Sequence, residues 1–236
     1  MRRSALTILT VALLVGSVGA FAYTERLKLE RSPVGRAQVD AWLSPVCDCP
    51  REVASVSFEL RKPERLDVTV VDGDGELVRR LEQGSQHAPG EVELAWDGRD
   101  EAGRIVPDGS YRVRVRLREA RRTISIPESI HVDTTPPDVD FWRVSQTVLF
   151  RGETTEVAFR ANEIGRAVLL VDGEDVWRGP LRRPGDRTVR WNGEAEDGPL
   201  PSGVHTLTLA VEDRAGNRSE PTRPVTIVVA QDPPQA

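Results

Sequence analysis

The chain has 236 residues, of which 39% are hydrophobic and 29% are charged, and its formal net charge is −5 at pH 7. This composition suits folded domains with apolar cores and excludes a disordered tail. The acidic balance gives no support to nucleic-acid binding, and the length fits one large or two small domains.

The N-terminal segment is uncharged and mostly apolar from Ser4 to Thr24, directly after Arg2 and Arg3. A run of this length crosses about 30 Å of hydrocarbon as a helix. Two interpretations stay open. Ala20-Phe21-Ala22 fits the cleavage site of a signal peptide, whereas the run exceeds the roughly 7–15 residues of a signal-peptide core. We expect residues 1–24 to be an uncleaved signal anchor.

The orientation of this anchor is predicted from two opposing signals. Arg26, Lys28, Arg31 and Arg36 follow the apolar run, and basic flanks ordinarily mark the cytoplasmic side. We nevertheless place the body of the protein outside the cytoplasm, because the leader begins as export leaders do. The sequence thus predicts a single-pass protein of the cell membrane, with a juxtamembrane linker over residues 25–43.

Cys47 and Cys49 are the two cysteines of the chain. In an exported protein an even cysteine count predicts a disulfide, here a local bridge that pins the start of the first domain. Separate thiols and bridges to another chain are the alternatives. A metal site is not expected here, since structural zinc takes four ligands and no histidine lies nearby.

A unit of about 85 residues occurs twice in the chain. WDGRDEAGRIVPDGSYRVRVRL begins at Trp96, and WNGEAEDGPLPSGVHTLTLAV begins at Trp191. Glycines and turn residues recur between the copies, whereas no set of reactive side chains does, so the repeated stretch predicts a role in folding. Further matched positions include Val56 and Val157, Phe58 and Phe159, Asp72-Gly73 and Asp172-Gly173, Gly98 and Gly193, Gly109 and Gly203, and Tyr111 and His205, with Val113, Val115 and Leu117 on Leu207, Leu209 and Val211.

Both units are predicted to consist of β-strands. SYRVRVRLRE alternates polar and apolar residues, the period of a strand with one buried face, and Asp-Gly, Pro-Gly and Ser-Gly turns separate several such runs. We expect β-sandwich domains at residues 44–134 and 135–230, followed by a tail at 231–236. The joint HVDTTPPDV is stiffened by Pro136 and Pro137.

Trp96 and Trp191 end equivalent predicted strands, and we expect each to be a core anchor that plugs one end of its domain. The fold class is therefore all-β, with two tandem sandwiches after one N-terminal transmembrane or signal helix.

ELRKPERLDVTVVDGDGELVRRL, followed by WDGRDEAGRIVPDGSYRVRV, resembles the immunoglobulin-like domain of the flagellar hook-capping protein, the FlgD-type Ig-like domain. VDTTPPDV and VEDRAGNRSEP of the second unit resemble a bacterial surface Ig-like repeat. Together the resemblances cover residues 44–230 and imply exported Ig-like modules. Family members often open with Ser-Pro-Asn-Gly-Asp-Gly, where this chain has SPVCDCPR, so no ion-binding role is carried over. The hook-capping protein's N-terminal assembly segment is absent, so the resemblance implies a module rather than a flagellar function.

Two acidic stretches invite comparison with calcium sites. DGDGE at residues 72–76 contains part of a calcium-loop pattern, but the pattern stops short of the full ligand set, and a hairpin turn is predicted instead. Asp97, Asp100, Glu101 and Asp108 crowd one loop and would hold Ca²⁺ weakly, yet the second copy lacks most of these acids. We predict neither a metal site nor a cofactor.

Arg112, Arg114, Arg116 and Arg118 alternate along one predicted strand face. Such a row would suit an anionic polymer or lipid. The alternative is a solvated face that pairs with Glu91 and Glu93 on a neighbouring strand. The first unit holds more acids than bases, which favours this alternative.

The sequence predicts a non-catalytic protein. No serine or cysteine lies in the context of an activated nucleophile, and His87, His131 and His205 are scattered, whereas a hydrolase would need a clustered acid, base or nucleophile. We expect a membrane-tethered, extracytoplasmic Ig-like binding or scaffold protein of the bacterial envelope. Its partner would be an unidentified envelope protein or polymer, not nucleic acid. The alternative is an accessory, non-catalytic subunit of an envelope or membrane enzyme.

Overall fold

The computed structural model describes residues 32–230, together with Leu14, residues 16–19 and Phe21. The predicted leader at 1–24 lies largely outside these residues, and the predicted tail at 231–236 lies wholly outside them. Within the described part of the chain, no helix has the length and apolar character that crossing a bilayer requires. Residues 34–230 are built from β-strands and their connections, which confirms the all-β prediction.

Eight strands build the first sandwich: β1 (Val34–Val39), β2 (Trp42–Leu43), β3 (Ala54–Leu60), β4 (Glu64–Val71), β5 (Leu77–His87), β6 (Gly90–Trp96), β7 (Gly109–Leu117) and β8 (Arg122–Val132). One sheet has the order β1-β3-β6, and the other has the order β2-β8-β7-β4-β5. Neighbouring strands are antiparallel, except that β2 runs parallel to β8. Apolar side chains from both sheets, including Phe58 and Trp96, form one core.

The first sandwich begins earlier than the sequence predicts. β1 lies inside the range 25–43 that the sequence assigns to a linker, and it pairs with β3 from Val34 onward. A bulge between Gly35 and Gln38 interrupts its register. Because the bulge breaks the two-residue alternation, the strand carries no clear pattern in the sequence.

The second sandwich contains ten strands: β9 (Val139–Val144), β10 (Val148–Phe150), β11 (Thr155–Ala161), β12 (Gly165–Val171), β13 (Glu174–Arg178), β14 (Gly185–Trp191), β15 (Glu194–Ala195), β16 (Gly198–Pro199), β17 (Gly203–Asp213) and β18 (Val225–Ala230). Its sheets have the orders β9-β11-β14 and β10-β18-β17-β12-β13, with β15 and β16 as a small separate ribbon. Strand for strand, these orders repeat those of the first sandwich. Even the parallel pairing recurs, between β10 and β18. The internal repeat of the sequence therefore encodes one topology twice.

Candidate functional site

Trp96 and Trp191 occupy equivalent places at the ends of β6 and β14. Each side chain is 1% exposed. Trp96 Nε1 donates a hydrogen bond to the carbonyl oxygen of Arg99 (3.0 Å), and Trp191 Nε1 donates to that of Glu194 (2.8 Å). Neither indole is presented to solvent, so neither forms part of a surface for a partner.

Tyr111 and His205 stand at the same position of the two sandwiches and make the same contact. Tyr111 Oη donates to the carbonyl oxygen of Pro107 (2.7 Å), and His205 Nε2 lies 2.9 Å from that of Pro201. His205 Nδ1 also lies 2.7 Å from Asp172 Oδ2. The Asp172 carboxylate and the Pro201 carbonyl raise the pKa of His205, because an imidazole that donates from both nitrogens is protonated.

Asp172 lies in the two-residue turn between β12 and β13. Asp172 and Gly173 both have positive φ angles, 53° and 91°, as a type I′ hairpin turn requires. Hydrogen bonds from Thr206 and His205 lower the pKa of Asp172 to about 2. This turn residue therefore carries its charge throughout the physiological range.

The predicted acidic loop is held together by its own carboxylates. Asp100 Oδ1 accepts hydrogen bonds from the amides of Ala102 and Arg104 (both 2.9 Å), which lower its pKa together with the Arg104 side chain. Asp108 binds Thr134 and Thr135. The remaining acids of the loop also accept amide hydrogen bonds, Asp97 from Arg99 and Glu101 from Arg80. Because these carboxylates serve separate donors, the loop does not form a convergent cation site.

The DGDGE segment is a turn in the structure. Asp72 Oδ1 accepts hydrogen bonds from the amides of Asp74 (3.0 Å) and Glu76 (2.9 Å). Gly75 has a φ of 87°, a conformation that favours glycine. The segment therefore closes the connection between β4 and β5.

A different acidic group lies where the two sandwiches meet. The carboxylate oxygens of Asp133, Glu163 and Asp213 lie within 4.8 Å of one another. Burial, and then the neighbouring carboxylates, raise the pKa values of Asp133 and Glu163. Carboxylate oxygens are the ligands that hard cations take, but Asp213 already accepts hydrogen bonds from Gly216 and Asn217. Sequence reasoning missed this trio because its members lie in three separate segments of the chain, Asp133 after β8, Glu163 before β12 and Asp213 at the end of β17.

The joint between the sandwiches is a network of buried polar side chains. Ser44 is 0% exposed and Asn217 is 2% exposed. Ser44 Oγ donates to Asn217 Oδ1, while Asn217 Nδ2 donates to the carbonyl oxygen of Asp133 (2.8 Å) and to Asp213 Oδ2 (2.8 Å). Buried polar groups are costly unless paired, so this network favours one relative orientation of the two sandwiches. The sequence indicated a joint only at HVDTTPPDV.

Cys47 and Cys49 also lie at this joint, and their Sγ atoms are bonded to each other at 2.05 Å. A Cβ atom placed on Gly216 would lie 2.5 Å from Cys49 Sγ, and Gly216 has a φ of 95°. Close approach and backbone conformation thus both require glycine there. Beside the disulfide, the Arg214 guanidinium lies 5.5 Å from the centre of the Trp42 ring. The bridge therefore packs against the second sandwich in addition to ordering the segment before β3.

The arginine row of β7 does not have the acidic partners that the sequence suggested. Glu91 and Glu93 lie on β6, which pairs with β3 in the other sheet, whereas β7 pairs with β4 and β8. The predicted pairing is wrong because the loop between β6 and β7 carries the chain from one sheet to the other. A two-residue alternation shows which residues share a face but does not identify the neighbouring strand.

Three residues of this row, Arg112, Arg114 and Arg118, donate hydrogen bonds to other groups, Arg112 to the carbonyl oxygen of Gly73 (3.5 Å). Arg118 Nε lies 3.1 and 2.9 Å from the two Asp67 carboxylate oxygens, and this pairing lowers the pKa of Asp67. Arg114 donates to the carbonyl oxygen of Gly75 (3.0 Å). The row is therefore partly neutralised by one acid and partly left with its positive charge.

Ser110 and His131 form a serine–histidine pair, with Oγ and Nδ1 2.9 Å apart. In a nucleophilic site a third polar group orients the histidine. In the described part of the chain, the His131 ring instead packs on Trp42, with a centroid distance of 4.9 Å and an interplanar angle of 32°. The arrangement anchors β2 against β8, and among the residues that the structure describes no third polar group orients the histidine.

Residues 51–120 match the family model described as the FlgD Ig-like domain. The basal-body rod modification protein FlgD of Salmonella typhimurium is 40% identical over 58 residues, which cover 24% of this chain and 25% of that protein. The FlgD protein of Salmonella typhi matches to the same extent. The chain thus spans about a quarter of the length of these curated relatives, and the predicted resemblance is confirmed for the first sandwich.

Solved structures with similar chain paths include bacterial proteins of two kinds. The fibronectin(III)-like modules of Clostridium thermocellum CbhA are 18% identical, with a TM-score of 0.46, over 83% of this chain and 95% of that chain. Dimeric latent PorU from Porphyromonas gingivalis is 10% identical, with a TM-score of 0.33, over 86% of this chain and 21% of that chain.

Proposed function

We propose that the protein is a membrane-tethered, extracytoplasmic scaffold of the bacterial envelope that binds a partner and catalyses no reaction. The buried joint carries this proposal. Ser44, Asn217 and the Cys47–Cys49 bridge hold two sandwiches of one topology in one orientation. Two sandwiches held in one orientation can present a binding surface at a fixed distance from the membrane.

The direction of the chain fits a tether at the end of the first sandwich that lies opposite the joint. β1 begins at Val34 beside Leu60, the last residue of β3. β8 ends at Val132, next to the joint. The N-terminal segment and the second sandwich therefore leave the first sandwich at opposite ends. A leader that stays in the membrane would place the second sandwich outermost.

The FlgD Ig-like match supports a role as a protein module rather than a flagellar role. Only a quarter of the length of the flagellar relatives is matched, so the proposal does not carry over their part in basal-body rod modification. The matched segment contains the strands β3 to β7 with their turns, and the second sandwich repeats this part of the fold. What the relatives share with this chain is thus a structural unit.

Photo-crosslinking in cells tests the proposal. The photoreactive residue replaces Val204, which is 71% exposed on β17 of the second sandwich, and Ala210, which is buried on the same strand, serves as the control position. We expect a discrete adduct with an envelope component from position 204 only, in the membrane fraction and in a compartment open to external protease. A protease-protected, soluble chain without an adduct would contradict the proposal. Capture of an envelope enzyme would identify an accessory subunit.

A further inference from the structure

The first sandwich has a basic groove at the end where the chain enters it. Its lining residues are Asp67, Arg116, Arg118, Arg121 and Thr123, and the groove between them is open to solvent with a volume of about 610 Å³. We propose that this groove binds the phosphate headgroups of anionic lipids and seats the first sandwich on the membrane surface. The inference names a partner for the proposed tethered protein and rests on that proposed function.

Two guanidinium groups of the groove have no partner of their own. Arg118 is held by Asp67. Within the described residues, Arg116 and Arg121 form neither a side-chain hydrogen bond nor an ion pair. Thr123, which pairs with Arg116 across β8 and β7, adds a hydroxyl. The groove thus offers two free guanidinium groups and a hydroxyl donor, which suit a phosphate oxygen.

A buried carboxylate accepts hydrogen bonds from the backbone of the turn that carries Arg121. Glu64 is largely buried, and its two oxygens accept hydrogen bonds from the amides of Glu119 (2.7 Å) and Ala120 (3.2 Å). Arg121 itself has a φ of 50°, a conformation that an arginine side chain disfavours. A costly local conformation that the surroundings maintain is a feature of binding sites.

The surface around the groove is basic although the whole chain is acidic. The segments that meet at this end of the sandwich are 34–36, 59–67, 86–91 and 116–122. They contain eight arginine and lysine residues against five acidic residues, whereas the chain has a net charge of −5. Positive charge is therefore concentrated at the end of the first sandwich that lies opposite the joint.

The chain length before β1 keeps this end close to the bilayer. The predicted anchor ends at Thr24 and β1 begins at Val34, so the connecting segment spans at most about 36 Å when fully extended. That segment also carries Arg26, Lys28 and Arg31. Basic groups next to a membrane helix are attracted to anionic lipid over about a Debye length, and the tether keeps their local concentration high.

The lining of the groove favours headgroups over other anions. None of the five lining residues is aromatic or apolar. The groove therefore has no platform on which nucleic-acid bases stack, and it has no wedge that would enter the acyl region of a bilayer. Contact with phosphate at the surface is the chemistry that remains.

A dye placed beside the groove of the full chain tests the proposal in lipid nanodiscs. Ala120→Cys, at an exposed position of the turn next to Arg121, carries the dye, Ser202→Cys in the second sandwich carries it as the distant control, and a lipid with a nitroxide headgroup quenches fluorescence at the surface. We expect quenching at position 120 to be at least about twofold stronger with phosphatidylglycerol than with phosphatidylcholine and to weaken with added salt. Position 202 should stay unquenched in both.

Charge reversal supplies the decisive comparison. Arg116→Glu with Arg121→Glu should reduce the phosphatidylglycerol signal to the phosphatidylcholine level. Arg143→Glu with Arg151→Glu makes the same change in net charge at exposed sites of the second sandwich and should leave the signal unchanged. Arg121→Gly removes the guanidinium where glycine suits the backbone, so a weaker signal with an undiminished melting temperature would show that folding is not the cause.

The results also separate this inference from the proposed tether. If the labelled chain is absent from discs of both compositions, the anchor is refuted. The groove is then tested separately by mixing the labelled chain with preformed vesicles of the same lipids. Lipid-selective quenching that depends on Arg116 and Arg121 then supports the groove, and its absence overturns it. A dye response to soluble polyuronate without one to phosphatidylglycerol would also overturn the assignment to lipid.

Discussion

Replacing either buried tryptophan with alanine tests whether the repeated stretch is a folding element. Trp96 and Trp191 are each 1% exposed. A buried tryptophan side chain removes roughly 200 Å² from water, which at about 25 cal/mol per Å² corresponds to about 5 kcal/mol. Mutational experience gives about 3–5 kcal/mol for a tryptophan-to-alanine change. Because a small domain has only about 5–15 kcal/mol in total, either substitution should nearly unfold its own sandwich.

The two variants are expected to differ in how far the damage spreads. Trp96 lies toward the joint, since a Cβ atom on nearby Gly98 would lie 2.7 Å from Pro45 Cγ, next to Ser44. Trp191 lies at the far end of the second sandwich, where Gly193 approaches Leu149. Trp191→Ala should therefore spare the first sandwich, because distant sites act additively. Trp96→Ala should also loosen the joint.

Calorimetry of the full chain measures both effects. With about 4–8 °C per kcal/mol for a domain of this size, the affected transition should fall by at least about 12 °C. Trp177→Ala is the matched control, because Trp177 is only partly buried at the edge of the second core, and a smaller fall is expected. A shift below about 2 °C in Trp96→Ala or Trp191→Ala, less than about 0.5 kcal/mol, would refute the assignment of these tryptophans to the cores.

Four further predictions concern the second sandwich, the joint and the leader. The pKa of His205 is raised above 6.5, so the stabilisation by its protonated ring is complete below pH 6.5 and is lost as the pH rises through the raised value. The melting temperature of the second sandwich should therefore fall over that pH range. His205→Tyr should remove this pH dependence. Because burial raises the pKa of Glu163, the folded chain loses stability as the pH rises from 4.5 through the raised value. Glu163→Gln should therefore raise the melting temperature at neutral pH but not in acid. An equal change in melting temperature at neutral and acid pH would argue against the buried trio. Gly216→Ala should destabilise the joint more than Gly173→Ala, since both positions have positive φ but only Gly216 lies against Cys49. Proteolysis within residues 133–138 should therefore be faster in Gly216→Ala, and equal rates in the two variants would count against that contact. N-terminal sequencing should show that the mature protein retains residues 1–24, and a mature N-terminus at Tyr23 would exclude the signal anchor.

The repeated architecture can be predicted from the sequence because its determinants are local. The alternation from Tyr111 to Leu117, the Asp172-Gly173 turn and the tryptophan at the end of each sixth strand all depend on a few neighbouring residues. Each signal occurs in both units, so each supports the other. The buried positions of Trp96 and Trp191 follow the same local pattern.

The joint and the electrostatic surroundings of the arginine row were decided only by the tertiary structure. Ser44 and Asn217 are 173 residues apart in the sequence, and neither has a local pattern that identifies its partner. Glu91 and Glu93 alternate correctly on β6, yet the crossing between sheets places them away from Arg114 and Arg116. The pairing of β12 with β17 brings Glu163 and Asp213 together within the second sandwich, whereas Asp133 of the first sandwich joins them only because the two sandwiches dock. Periodicity specifies which face of a strand is buried, but the docking of sheets and domains depends on how the surfaces formed by many distant residues fit together.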